Sequence, residues 1–178
     1  MPRTRYRFGE DQFPHFMTST VVAWLPVFSY PAFAEVVLSS WRFLQTKREI
    51  DILAFVIMEN HVHWIAVGPE LSKRVREFKS FTATSILKEM QSRGFTTQLQ
   101  EFEFYKLQHK MGQKHQFWQE GSHPQMIGAD EMMWQKIKYI HENPLRRGYV
   151  DEPEDWRYSS ARCYAGRDCV LDVCTDWR

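Results

Sequence analysis

Residues 51–67 constrain the fold of this chain more than any other stretch. Asp51 to Met58 is a short, continuous apolar run of the kind found in strands buried on both faces. Glu59-Asn60 is a turn-like pair, and His61 to Val67 alternates apolar and polar until Gly68-Pro69. Two such strands joined by two residues form an antiparallel hairpin. A strand covered on both sides needs packed layers above and below it. The apolar run is also far shorter than the ~20 residues of a membrane span, so no membrane partner is expected.

The 178 residues are the length of one ordinary domain, and 43% hydrophobic with 25% charged residues excludes wholesale disorder. Residues 1–12 hold Arg3, Arg5 and Arg7 without apolar period and read as a flexible basic arm, leaving 13–178 as a single domain. The amino terminus has no apolar stretch behind its charges, which argues against a secretory signal. Cys163, Cys169 and Cys174 match no common zinc spacing and read as reduced structural thiols, so a cytoplasmic location is expected.

Phe13 to Phe28 is β-branched and aromatic and reads as a strand. Pro31 to Lys47 carries a helical stripe (Phe33, Val37, Trp41, Leu44) with Pro at its entry. Leu71 to Met90 predicts a second helix stopped by Gly94. A short strand is expected around Phe102 to Lys106. Ala129 to Asn143 predicts a helix ended by Pro144, and Cys169 to Val173 a last strand. The order is that of an α+β protein, helices packed on an antiparallel sheet, and resembles the ferredoxin-like arrangement.

His61-Val62-His63 is the sharpest chemical feature. Residues i and i+2 of a strand share a face, so both imidazoles project together and could supply two nitrogens to one metal ion. A pair of solvated histidines is the plain alternative. Tyr139 and Asn143 lie at i, i+4 on one helix face, where a half-buried ring and a helix cap are equally ordinary readings. Taken together, the four could converge on one divalent ion and one phosphodiester. A phenol titrates near ~10 and is a weak nucleophile at neutral pH until a metal polarises the phosphoryl group.

Four blocks are more telling in register than singly. Phe55-Val56-Ile57-Met58-Glu59-Asn60-His61-Val62-His63-Trp64-Ile65 comes first, followed by Phe117-Trp118-Gln119-Glu120-Gly121. Tyr139-Ile140-His141-Glu142-Asn143-Pro144-Leu145-Arg146-Arg147-Gly148-Tyr149-Val150 and Trp156-Arg157-Tyr158-Ser159-Ser160 complete the set. Over residues 13–164 the chain resembles the REP-associated tyrosine transposases, a branch of the single-tyrosine HUH transposases. The resemblance implies an HUH-endonuclease-type fold and a metal-dependent single-strand DNA nuclease and strand transferase working through a 5′-phosphotyrosine. It implies Tyr139 as nucleophile, His61, His63 and Asn143 as metal ligands, Mg2+ or Mn2+ as the ion, and DNA hairpins with a single-stranded flank as partner.

Two departures stand out. Glu59 replaces the proline common two residues before the first histidine, and Gly121-Ser122-His123-Pro124-Gln125 replaces a frequent Asp-His pair. A DNA-hairpin-binding protein that has lost cleavage, and another HUH enzyme such as a replication initiator or relaxase, are the alternatives. Monomer and homodimer are both open.

With a net charge of +1, DNA contacts must come from local clusters. Lys73, Arg74, Arg76 and Lys79 form one, Lys106, Lys110 and Lys114 a second, and Arg146-Arg147 a third. Phe117 and Trp118 beside the second are a candidate stacking pair for unpaired bases. Trp156 and Tyr158 read as packing residues, and His141 as structural or DNA-facing.

Overall fold

A computed structural model describes residues 12–107, 112–121 and 124–177. The arm of residues 1–12 therefore lies, except for Gln12, outside the described residues, as do Lys110 and His123. Strands β1 (His15–Thr20), β2 (Asp51–Ile57), β3 (His61–Val67) and β4 (Gln125–Met126) form one antiparallel sheet in the order β2-β3-β1-β4. Helices α1 (Pro31–Arg48) and α2 (Leu71–Ser92) follow β1 and β3, so the sequence β1-α1-β2-β3-α2-β4 is the ferredoxin-like order. The α+β expectation holds.

Two cores lie on the two faces of the sheet. On one, Trp41 of α1 stacks on Phe78 of α2 at 5.7 Å, and Trp64 of β3 lies 5.5 Å from Trp41, all three fully buried. On the other, Met133, Ile137 and Ile140 of helix α4 (Asp130–Arg146) cover Phe16, Val56 and Ile65. Burial on both faces explains the unbroken apolar run of β2. The hairpin closes as its sequence implies, with Met58 N–H donating to His61 O across Glu59-Asn60.

Several expected boundaries move. The first strand stops at Thr20 because Val21 to Ser29 folds into two 3-10 turns, with Ala23 and Trp24 at φ 53° and 58°. No strand forms at Phe102 to Lys106. Phe95, Leu99 and Phe102 instead line one side of helix α3 (Thr96–Phe104), a helical stripe of three residues too short to stand out. Pro144 does not end α4, which runs to Arg146. Proline forfeits only its own N–H, while Arg147 N–H and Tyr149 N–H still close onto the carbonyls of Asn143 and Pro144. Asn143 is thus inside the helix. The two-residue strand β4 escapes sequence reading altogether, being too short to carry a pattern.

Cys169 to Val173 forms no strand either. The segment is fixed by side chains, with Arg42 and Gln45 of α1 donating to the carbonyls of Val170 and Asp172 and with Leu171 buried. Cys163 and Cys169 are joined by a disulfide, contrary to the reduced thiols expected, because the short helix α5 (Ala161–Tyr164) turns the chain back and brings their Cα atoms to 5.5 Å. Cys174 remains a free thiol.

The open edge of β2 is closed by the chain after α4. Trp156 Nε1, Ser160 Oγ and Tyr164 Oη donate to the carbonyls of Ile57, Phe55 and Leu53, at 3.0, 3.2 and 2.9 Å. Ser160 Oγ also accepts from Phe55 N–H at 2.9 Å and bonds His141 Nε2 of α4 at 2.9 Å. Sheet edge, tail and α4 therefore meet at one buried hydroxyl. Trp156 and Tyr158 are packing residues, as expected, and His141, bonded to Ser160 and packed on Tyr164, takes the structural one of its two readings. Replacing Ser160 by Ala strands Phe55 N–H and the His141 ring, and the expected cost is about 1–3 kcal/mol. Denaturant unfolding of S160A measures it, and an unchanged midpoint would show that this junction carries no stability.

Candidate active site

The register of β1 against β3 builds the site. Thr18 lies directly opposite His63, and Thr20 opposite His61. Opposed residues in an antiparallel pair share a face, so both histidines and both threonines point to the side covered by α4. The two imidazole centroids are 4.7 Å apart. Each ring is held through Nδ1. His61 Nδ1 donates to Asn60 Oδ1 at 2.7 Å, and His63 Nδ1 is 2.7 Å from Thr18 Oγ1. A second ring nitrogen fixed in this way is what orients metal-ligating histidines and leaves Nε2 available.

Burial strengthens that arrangement. Desolvation, partly relieved by Glu59 and reinforced by the positive charge of Arg147, lowers the His61 pKa to about 4. Desolvation, with His61 and Lys136 adding to it, lowers His63 to about 3. Both rings are therefore neutral at pH 7, the state a metal ligand requires.

Helix α4 brings the rest. With Ile137 and Ile140 turned to the sheet, Tyr139 and Asn143 project along its flank over β3. The Tyr139 ring lies 5.3 Å from the His63 ring and 5.9 Å from Phe16, and is 38% exposed. Thr18, Thr20, Trp24, His61, His63, Tyr139, Asn143, Arg146 and Arg147 line one open cavity of about 390 Å³. The Asn143 side chain is 9% exposed and makes no hydrogen bond among the described residues.

Among the described residues no three His, Cys, Asp or Glu side chains gather around one point. Two neutral imidazoles and the unengaged Asn143 amide are the donors that a divalent ion would find here. They fit such an ion, with a nitrogen-rich set that suits manganese more comfortably than magnesium, which prefers oxygen. Glu59 does not point its charge at the pocket freely, since its Oε1 accepts from Arg147 at 3.0 Å.

The basic clusters fare unequally. Arg146 and Arg147 reach the cavity, Arg146 lying 5.8 Å over the Tyr139 ring. Lys73, Arg74 and Arg76 sit near the start of α2, which follows the far end of β3, about 20 Å along the strand from His61. Arg74 is also tied up by Glu70 and Glu77. Lys79 and Lys114 line a separate, larger groove of about 1030 Å³ between α2 and residues 113–121, and Lys106 is bonded to Gln113 O.

Phe117 and Trp118 are corrected. They are 2% and 7% exposed, packed on Phe28, Phe78 and Phe102, so their faces are closed to bases. Their apolar character served the core. Sequence reasoning missed Thr18, Asn60, Trp24 and Lys136, the last with its ammonium 4.7 Å over the Phe16 ring. Asn60 could have been noticed as the neighbour of His61, but Thr18 and Trp24 become visible only once the register and the turn are known.

Among solved structures, the chain matches the structure of a REP-associated tyrosine transposase bound to a REP hairpin. The TM-score is 0.68 and the identity 20%, over 100% of this chain and 92% of that one. The fold is that of a REP-associated tyrosine transposase. A second solved structure, a protein of Deinococcus radiodurans R1 provisionally classed as a transposase, matches at a TM-score of 0.45 and 14% identity, over 79% of this chain and 95% of that one. No protein-family model and no curated protein matches the chain. No helix among the described residues is long and apolar enough to cross a membrane.

His61, His63 and His141 all have lowered pKa values, His141 at about 4 through burial. The unfolded chain, with histidines near 6.5, takes up protons that the native state refuses. Stability is therefore expected to fall as pH drops below about 6.5, towards the native values. In metal-free buffer, H141Q should reduce the slope of unfolding free energy against pH by about 1.4 kcal/mol per unit between pH 6 and 5. An H141Q slope equal to that of the unaltered chain would contradict the assignment.

Proposed function

We propose that this chain is a single-strand DNA endonuclease and strand transferase that recognises a DNA hairpin with an unpaired flank and acts through a covalent tyrosyl–DNA intermediate. The observation that supports it best is the convergence of one exposed phenol, two neutral histidines, an unengaged amide and two arginines on one cavity. The hairpin is part of the reading because the matched transposase is bound to one.

In this reading a phosphodiester lies in the cavity with one non-bridging oxygen towards the histidines and the other towards Arg146 and Arg147. The guanidinium groups balance phosphate charge and fix its orientation. The Tyr139 hydroxyl attacks phosphorus and loses its proton to solvent, which an exposed ring permits. The bond to the 3′-oxygen breaks, and that oxygen takes up a proton to leave a free 3′-hydroxyl. The downstream fragment stays joined to Tyr139 through its 5′-phosphate, as a 5′-phosphotyrosine. Since a phosphodiester bond is exchanged for another, the step reverses when a 3′-hydroxyl returns, and strands are rejoined.

A divalent ion, Mg2+ or Mn2+, would be held by His61, His63 and Asn143 and would supply Lewis-acid polarisation of the phosphoryl oxygen. Thr18 and Asn60 hold the two rings in place, and α4 holds Tyr139 against His63. A cytoplasmic location rests in this reading on the DNA substrate alone, since the Cys163–Cys169 disulfide removes the argument from reduced thiols.

Tyr139→Phe keeps the ring, its contact with His63 and its packing, and removes only the attacking oxygen. With a pool of labelled hairpins bearing randomised single-stranded flanks and manganese present, the unaltered chain should form a denaturation-resistant adduct. Y139F should bind the same pool and form none. An adduct in Y139F would assign the nucleophile elsewhere, and binding without any adduct in the unaltered chain would favour the hairpin-binding reading.

A further inference from the structure

Trp24 stands apart from the tryptophans of the core. Trp41 and Trp64 are fully buried and Trp118 nearly so, whereas Trp24 is 54% exposed. Its ring lies at the rim of the cavity that holds Tyr139, edge-to-face with His61 at 5.9 Å. Exposed rings occur elsewhere on the chain, Phe81 and Phe104 among them, but Trp24 is the one placed at the mouth of this polar cavity.

The backbone underneath is equally unusual. Ala23 and Trp24 have φ values of 53° and 58°, two consecutive non-glycine residues in the left-handed region. Such conformations persist only where the surroundings over-determine them, and they gather at functional sites. The surroundings here are explicit. Val21 N–H donates to Asn60 O, Val22 N–H to Phe117 O, and Phe28 N–H to Glu59 O, at 2.9, 2.8 and 2.8 Å. Val21, Val22, Val27 and Phe28 are buried. The turn is thus anchored on both sides by its valines and Phe28, and its strained apex lifts Trp24 out of the core. Asn60 connects the two devices, its carbonyl holding the turn and its side chain holding His61.

We infer that Trp24 is a stacking platform for one unpaired nucleobase beside the phosphate that Tyr139 attacks. This takes over the role that Phe117 and Trp118 cannot fill, and it rests on the proposed function. A base laid on the exposed indole face carries its phosphate into the cavity between Trp24 and Arg146-Arg147. Duplex DNA, whose bases are stacked on one another, cannot use such a platform. The site therefore selects unpaired over paired DNA without reading sequence.

The test compares two probes at one fixed salt concentration, a labelled hairpin with an oligo-dT flank and the same hairpin with an abasic flank. Manganese is present, and Y139F serves as the parent so that binding alone is read. Trp24→Ala should weaken binding of the oligo-dT probe roughly ten-fold or more and leave the abasic probe unchanged. Trp24→Phe should retain most of the affinity. Because the abasic probe interrogates the parent protein directly, a W24A chain that failed to fold would not shelter the inference. A parent that binds both probes alike overturns it, as does a W24A loss that is equal on both. If no hairpin probe is bound at all, the proposed function falls with it. Binding and adduct formation by the chain with an indifferent Trp24 would remove this inference alone.

Discussion

The rest of the site depends on one pairing, that of Thr18 with His63 across β1 and β3. It sets which face of the sheet receives the histidines, and a slip of one residue would send both into the tryptophan core on the other side. It also places the Thr18 hydroxyl within 2.7 Å of His63 Nδ1, so the strand register and the ring orientation are one constraint. The cavity exists because the face so defined is covered by α4 only in part. Its apolar stripe takes the sheet, and its Tyr139–Asn143 flank is left standing over the histidines.

Much of this could be read in the residues. The hairpin of β2 and β3, the helices α1 and α2, and the shared face of His61 and His63 all follow from periodicity, because in each the apolar pattern is long enough to fix face and limits. What failed was short or overridden. The three-residue stripe of α3 was too brief to compete with the aromatic composition of Phe102, Phe104 and Tyr105. Pro144 signals a helix end, yet α4 outlasts it because the carbonyls on either side find other N–H partners. Phe117 and Trp118 show the limit most plainly. Aromatic rings next to lysines have the composition of a nucleic-acid surface, and only burial at 2% and 7% reveals that they belong to the core.

Glu59 departs from the pattern that the resemblance implies. Its carboxylate stands where the resemblance leads one to expect a proline, in the turn just before His61. The ion pair with Arg147 ties that turn to the end of α4, so hairpin and α4 are joined on the solvent side of the cavity. On the opposite side the same two elements are joined through His141, Ser160 and the edge of β2. Both ties fix α4 on the C-terminal side of Tyr139, one at His141 and one at Arg147.

The proposed chemistry stands on His61, His63 and Asn143 acting as one ligand set for a divalent ion. The most direct measurement is manganese binding to the full chain, followed by electron paramagnetic resonance of the free ion, with thermal melts alongside. The account predicts saturable binding by the unaltered chain and by Y139F. It predicts loss in His61→Ala and in His63→Ala without a change in fold, and little further loss when both are replaced, since ligands of one ion act as a unit. Equal manganese binding by the unaltered chain and both single histidine variants would contradict it.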